Sequence, residues 1–203
     1  EYKQHSLLIE DLDNNPFILL EKWLTDITHT TIPDPTVFTL TTVSQEGQPY
    51  SRNVLLKHFS NDGFTFFTRY SSRKGTHIQS NNHVALLFYD CVNERQIHIR
   101  GKAFKIPRKE TVKYFKSRPK DSQIGALVSN QSTAIPNRSY LEDLFDKAKE
   151  DYHEKEVPCP DNWGGYIVKP EEFEFWQGRP NRLHDRIEFI IQDSSWEMKR
   201  LAP

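Results

Sequence analysis

Between Phe175 and Arg186 the chain sets Trp176, three arginines (Arg179, Arg182, Arg186), His184 and Asp185 around Gly178. Arginine keeps its proton near neutral pH and presents a rigid fork of donors suited to phosphate or to an anionic ring edge. Tryptophan adds a flat apolar wall with one N–H donor. Such a cluster is costly unless an anion neutralises it, so it reads as half of a site for a flat, negatively charged ligand. The plainer alternative is a structural histidine, with Asp185 paired to a neighbouring arginine.

Four other stretches carry polar groups that could join it. In Arg52-Asn53-Val54-Leu55-Leu56-Lys57, strand alternation puts Arg52, Val54 and Leu56 on one face and Asn53, Leu55 and Lys57 on the other. Each face then carries a cation or an amide, as in a binding strand or a solvated edge strand. Ser71-Ser72-Arg73-Lys74-Gly75 joins hydroxyls and two cations at a helix start, the ingredients of a phosphate cradle. A serine cap with solvated Arg73 and Lys74 is the alternative. Tyr114 and Arg118, four apart, share a helical face, and Ser122 opens or caps the next helix. With Lys57 they would form a second phosphate site; otherwise they are an exposed helical connection. Gln131-Ser132 could donate to carbonyl or phosphate oxygens, or be plain loop.

The elements that must position these residues are legible from period and punctuation. Asn14-Asn15-Pro16 predicts a cap and first turn, followed by Phe17, Leu20, Trp23, Leu24 and Ile27 at helical spacing. Strands are predicted over 36–43 and 49–57 as a hairpin, then over 64–68, 84–89 and 96–106. A short helix opens at 71–74. Helices follow over 109–117 and 122–129, with a third from a capping box at Ser139-Tyr140-Leu141-Glu142. Strands resume over 166–168, 173–176, 187–191 and 196–201. Hairpin-linked strands with inserted helices favour an antiparallel barrel decorated by helices, and no strand is followed by GxGxxG. The expected layout is one domain over 1–203: an N-terminal arm and helix (about 1–30), a barrel (about 36–106 and 163–203) and a helical insertion (about 108–155).

A net charge of −1 and a pI near 6.8 give no global attraction to nucleic acid or to an acidic membrane. Cys91 and Cys159 lie far apart, which argues against a zinc site or a disulfide scaffold and for no bound metal. No apolar run approaches the roughly 18 residues of a membrane span. A cytoplasmic protein is expected, and the start at Glu1 without a methionine suggests a lost leader.

Taken together, these motifs resemble the pyridoxamine 5′-phosphate oxidase family. The likeness rests on Arg52 to Lys57, Ser72-Arg73-Lys74, Glu94-Arg95-Gln96, Tyr114 to Pro119, Ser122 to Ala126, Gln131-Ser132, Trp163-Gly164-Gly165, Phe175 to Gly178, Arg182-Leu183-His184-Asp185-Arg186 and the terminal Arg200-Leu201-Ala202-Pro203. It implies a mainly β, Greek-key-like FMN-binding split barrel with added helices, working as a homodimer with FMN at the subunit interface. By position, the resemblance assigns FMN contacts to Arg52, Asn53, Val54, Leu55, Phe67, Thr68, Arg73 and Lys74. It adds Gln96, Gln131, Ser132, Trp176 and Arg186, the last a partner for charge on reduced flavin. It assigns the substrate phosphate to Lys57, Tyr114, Arg118 and Ser122, and the pyridine ring to Arg182, Leu183 and His184, with Arg182 and His184 as the catalytic pair. The arm around Glu1 and Tyr2 would approach the site. Asn53 departs from the apolar residue relatives usually carry. The implied reaction oxidises a vitamin B6 5′-phosphate to pyridoxal 5′-phosphate with dioxygen, releasing hydrogen peroxide. Alternatives are a split-barrel flavin reductase and a non-catalytic protein that binds FMN or pyridoxal 5′-phosphate.

Overall fold

The computed structural model describes residues 5–203; Glu1 and Tyr2, and the expected arm with them, lie outside that range. Helix α1 (Pro16–Thr28) starts where Asn15 Oδ1 accepts the Phe17 N–H and Pro16 fills the first turn, where a missing N–H costs nothing. Strands β1 (Val37–Val43) and β2 (Pro49–Leu55) form the predicted hairpin. The predicted second strand is cut short. Lys57 lies beyond it, before a brief unpredicted strand, β3 (His58–Ser60), which pairs with β4 (Gly63–Arg69). Helix α2 (Arg73–Ser80) leads into β5 (His83–Asp90) and β6 (Arg95–Lys105).

Three helices follow: α3 (Arg108–Ser117), α4 (Lys120–Val128) and α5 (Arg138–Asp151). Two expected starts are corrected. Pro119 takes the cap position of α4, so Ser122 sits inside its first turn. Asn137 caps α5 by accepting the Tyr140 N–H, and Glu142 pairs with Arg138 rather than closing a box on Ser139. The Ser139 hydroxyl donates to the same Asn137 Oδ1, so it supports the asparagine cap instead of forming one itself.

The two strands expected over 166–176 are one, β7 (Trp163–Gln177). Pro170 lies within it. It falls opposite Gly101, where the β6–β7 register shifts, so its missing N–H is absorbed by a bulge. Strands β8 (Asp185–Gln192) and β9 (Ser195–Leu201) complete an antiparallel nine-stranded sheet among the described residues.

The sheet runs β2-β1-β5-β6-β7-β4-β3, with β8 and β9 continuing from β7. Its ends curl together without zipping: Lys57 N–H donates to Thr65 O at 2.9 Å just past the end of β2. A seam therefore stays open between β2 and β4. Seven fully buried phenylalanines (Phe38, Phe64, Phe66, Phe88, Phe173, Phe175, Phe189) fill the interior, each contributing about 1.5–3 kcal/mol of apolar burial. Helix α1 covers one opening, with Trp23 edge-on to Phe175 at 5.3 Å. Arg95 ties it down by stacking on Trp23 and donating to Asp26 and Gln177. A second cluster, built on Phe115, Ile124, Ala148, Val157 and Trp163, fastens α3–α5 beside the seam.

At the bulge a side chain on Gly101 would meet the Lys169 carbonyl oxygen at 2.1 Å, a backbone contact that cannot swing aside. Gly101→Ala is therefore expected to destabilise the fold by about 1–3 kcal/mol or more, read as a lower denaturation midpoint with an unchanged slope.

Candidate functional site

The seam holds two adjoining cavities, of about 520 Å³ and 290 Å³, which share Leu55, Phe67, Thr68 and Gln131. The first is walled by Arg52 to Leu55 of β2, by the start of α2 with Arg73 and Lys74, and by Gln131-Ser132. Ser72 is fully buried at the cap of α2 and accepts the Gly75 N–H. Lys74 folds back over this turn, 8 % exposed, and donates to Thr68 Oγ1 (3.2 Å) and Ser72 Oγ (3.5 Å). Both are neutral, and among the described residues no carboxylate pairs with Lys74. Burial, with Arg52 nearby as a lesser cause, lowers its ammonium to about 8. Thr68 in turn donates to Gln131 Oε1 at 3.0 Å, which fixes the loop after α4. Ser132 sits there with φ +73°.

The second cavity is walled by Lys57, Tyr114 and Arg118. Tyr114 stacks on Phe67 at 3.9 Å between ring centroids, and Arg118 lies over Trp163 at 5.0 Å. Arg118 Nη1 is buried with no hydrogen-bond partner, a donor that asks for an acceptor from a ligand. Burial lowers this guanidinium and raises the Tyr114 hydroxyl. Ser122, in the first turn of α4, is half-buried and is not part of the wall.

The remaining predicted residues lie elsewhere. Gln96, Trp176 and Arg186 stand in one row across β6, β7 and β8. That row is at the Gln177 end of β7, whereas Gly165 and Trp163 pair with Phe67 and Arg69 at its other end. Thirteen residues separate Trp163 from Trp176, on the order of 40 Å of extended strand. One chain does not bring the two groups together.

The arginine-rich segment also differs electrostatically from the expectation of a cluster awaiting an anion. Arg186 makes two hydrogen bonds to Glu174 (2.8 and 3.0 Å) and one to Ala202 O. Arg200 and Arg179 share Asp185 at 2.7 and 3.5 Å. Carboxylates supplied by the fold neutralise these cations. Arg182 and Leu183 are exposed, and Arg182 and Asn181 both hold left-handed backbone (φ +61° and +59°), a strained pair in a short 3₁₀ turn. His184 tilts over Trp176 at 4.7 Å, and its Nδ1 accepts the Arg179 N–H. That bond places the proton of the neutral ring on Nε2.

Sequence reasoning missed several residues that shape the cavities. Arg69 is buried and donates to Ala126 O, Leu127 O and Asn162 Oδ1, closing the C-terminal end of α4 and anchoring the loop that carries Gln131. Tyr50 lines the first cavity, lying under Arg73 at 5.4 Å and beside His77 at 5.1 Å. Thr42 and His77 stand behind Arg52. The basic Arg69 immediately after Phe67-Thr68 was the one available signal.

Comparisons with known proteins fit this architecture. A family model described as pyridoxamine 5′-phosphate oxidase matches residues 24–150, and one described as the pyridoxine 5′-phosphate oxidase C-terminal dimerisation region matches residues 163–203. The pyridoxine/pyridoxamine 5′-phosphate oxidase of Crocosphaera subtropica is 48 % identical, covering 100 % of this chain and 96 % of its own. That of Pectobacterium atrosepticum is 45 % identical over 100 % and 89 %. Among solved structures, PhzG from Burkholderia lata in complex with tetrahydrophenazine-1-carboxylic acid superposes with a TM-score of 0.91 at 26 % identity, over 98 % of each chain. A pyridoxamine 5′-phosphate oxidase-related, FMN binding protein from Nostoc punctiforme shares the fold, with a TM-score of 0.76 at 14 % identity, over 95 % of this chain and 100 % of that one. The open seam, its two cation-lined cavities and these full-length likenesses converge: the chain belongs to the pyridoxamine 5′-phosphate oxidase family.

Proposed function

We propose that this protein is an FMN-dependent oxidase that converts pyridoxamine 5′-phosphate or pyridoxine 5′-phosphate to pyridoxal 5′-phosphate, with dioxygen as final electron acceptor. The observation that carries this reading is the pair of adjoining cavities, each with a cation that no carboxylate neutralises among the described residues: buried Lys74 in one, and half-buried Arg118, with a buried unpartnered Nη1, in the other. Two phosphate esters side by side would satisfy both. The names of relatives more than 45 % identical over the whole chain point to the same chemistry.

FMN, when bound, supplies an acceptor for the hydride equivalent leaving the substrate's 4′ carbon, which no side chain can provide. The residues of this chain place the reactants. Arg52, Arg73 and Lys74 would hold the FMN phosphate at the capped start of α2, where free N–H groups add to their charge. Asn53, Val54, Leu55, Phe67, Thr68, Gln131 and Ser132 would wall in the rest. Lys57, Tyr114 and Arg118, with Ser122 behind them, would hold the substrate phosphate and so fix the distance of the 4′ carbon from the flavin.

The Gln96, Trp176, Arg182, Leu183, His184 and Arg186 group would reach this site from a second copy of the chain. Strands β7–β9 coincide with the region whose family model is described as a dimerisation region, and their outer face carries half-buried Glu172, Glu174 and Glu188. In that assembly Arg186 would lie near the flavin with its charge already shared with Glu174. Arg182 and His184 would cover the pyridine ring. With Nδ1 occupied by the Arg179 N–H, His184 is set to donate from Nε2, which suits holding the substrate better than removing its proton.

Anaerobic addition of pyridoxamine 5′-phosphate to purified yellow protein is expected to bleach the flavin band, and air to restore it; an unchanged spectrum would refute the oxidase. Arg182→Ala is expected to lower turnover far more than flavin content, and Arg73→Ala to do the reverse, compared by absorbance and steady-state rates. Arg118→Ala should raise KM for the phosphorylated substrate roughly tenfold or more, since it removes a charged hydrogen-bond donor. FMN affinity should be level between about pH 7 and 8, where the phosphate is a dianion, and weaken above it, by up to tenfold per pH unit, because Lys74 loses its proton there in the ligand-free protein but keeps it beside a bound phosphate. Lys74→Met should abolish that dependence and raise the melting temperature of the FMN-free protein, having removed a buried unpaired charge.

A further inference from the structure

Behind the first cavity a buried polar chain runs from Arg52 to two residues outside the motifs named above, Thr42 and His77. Arg52 Nη1 donates to Leu40 O (3.1 Å) and to Thr42 Oγ1 (2.8 Å). Thr42 is fully buried, and Oγ1 lies 3.1 Å from Nδ1 of His77, itself 9 % exposed on α2. The direction of this chain follows from donor arithmetic. Arginine can only donate, so the Thr42 oxygen is an acceptor in the first bond. Its own proton, sealed from water, then needs an acceptor, and His77 Nδ1 is the one in reach. His77 must therefore be neutral, with its proton on Nε2. The surroundings agree. Burial foremost, then Arg52 and Arg73, lower the His77 pKa, while Glu46 in the β1–β2 turn opposes them. The same imidazole lies beside Tyr50, which in turn lies under Arg73.

We infer that His77 is a positioning residue for the anion site: as a neutral acceptor it orients the Thr42 hydroxyl, which holds the Arg52 guanidinium aimed into the cavity. Its ring also backs the Tyr50 platform beneath Arg73, so one side chain on α2 steadies two cations delivered by different elements. Without the acceptor, the buried Thr42 hydroxyl proton would be left unpaired, and its oxygen would no longer be held facing Arg52. This inference rests on the reading of the first cavity as the FMN phosphate site.

Two substitutions separate the ring's functions. His77→Asn retains an acceptor oxygen where Nδ1 stands but loses the ring; His77→Phe retains the ring and loses the acceptor. FMN dissociation constants, measured from released flavin fluorescence on dilution of the holoprotein, are expected to rise roughly five- to thirty-fold for His77→Phe and for Thr42→Val. They should rise much less for His77→Asn. In an Arg52→Ala background His77→Phe should add nothing further, a result that general loosening of the fold would not give. Wild-type affinity in both His77→Phe and Thr42→Val would overturn the inference, as would an equal loss with and without Arg52. A wild-type protein that holds no FMN would instead remove the flavin reading on which it stands.

Discussion

Strand β7 is the constraint on which the rest depends. It pairs with β6 along nearly its whole length, and on its other side with β4 at one end and β8 at the other, so it belongs both to the barrel and to the C-terminal sheet. A single strand of fifteen residues holds its two ends far apart, and each end carries one of the two groups of proposed site residues. Nothing in a single chain can shorten that distance, because the interior is packed with phenylalanine rings against both flanking strands. The dimer is thus a geometric requirement of the proposed site. It follows from strand length before any interface is considered.

The open seam is the second consequence of the same architecture. A fully zipped barrel would spend the β2 and β4 edges on each other and leave no room for a ligand. Here β3 and the short connection at Leu56-Lys57 turn the chain away, and the edges meet near the corner at the hydrogen bond from Lys57 N–H to Thr65 O. The helices then supply what the sheet lacks. Helix α2 brings a capped N-terminus, and α3 and α4 bring Tyr114, Arg118 and the loop with Gln131. Arg69 couples the two systems, since it is a strand residue whose guanidinium closes the carbonyl end of α4.

Much of this was legible in the sequence, and the exceptions have identifiable causes. Element types follow the period of the apolar residues, and the α1 cap at Asn15 was written in Asn-Asn-Pro. Strand β3 is three residues long, too short to show any period. Continuity of β7 through Pro170 depends on a bulge at Gly101, and a bulge is set by the partner strand rather than by local composition. The α5 cap was misplaced by two residues because Asn137 and Ser139 are both good caps, and only the backbone geometry chooses. Most residues that line the cavities came from motif positions. Their supports, Thr42, Tyr50 and His77, were invisible because each comes from a different element and none belongs to a motif.

The charge distribution argues further that the two halves do different work. Around the seam, Arg52, Arg69 and Lys74 make no salt bridge with a carboxylate among the described residues, and hydroxyl, carbonyl and amide oxygens accept their donors instead, while one buried nitrogen of Arg118 has no acceptor. At the far end of β7, Arg186, Arg179 and Arg200 are matched by Glu174 and Asp185. A buried cation without a counter-ion is unstable until an anion arrives, whereas a paired cation is stable before and after. On the proposed reading the phosphates would sit at the seam, and the C-terminal group of a second copy would meet a ligand already held there. Carboxylates on its own arginines cost it affinity for anions, but they fix the guanidinium planes and the His184 turn in advance. A dimer made this way would let the unpaired charges capture the ligands and reserve the pre-oriented donors for the reacting ring.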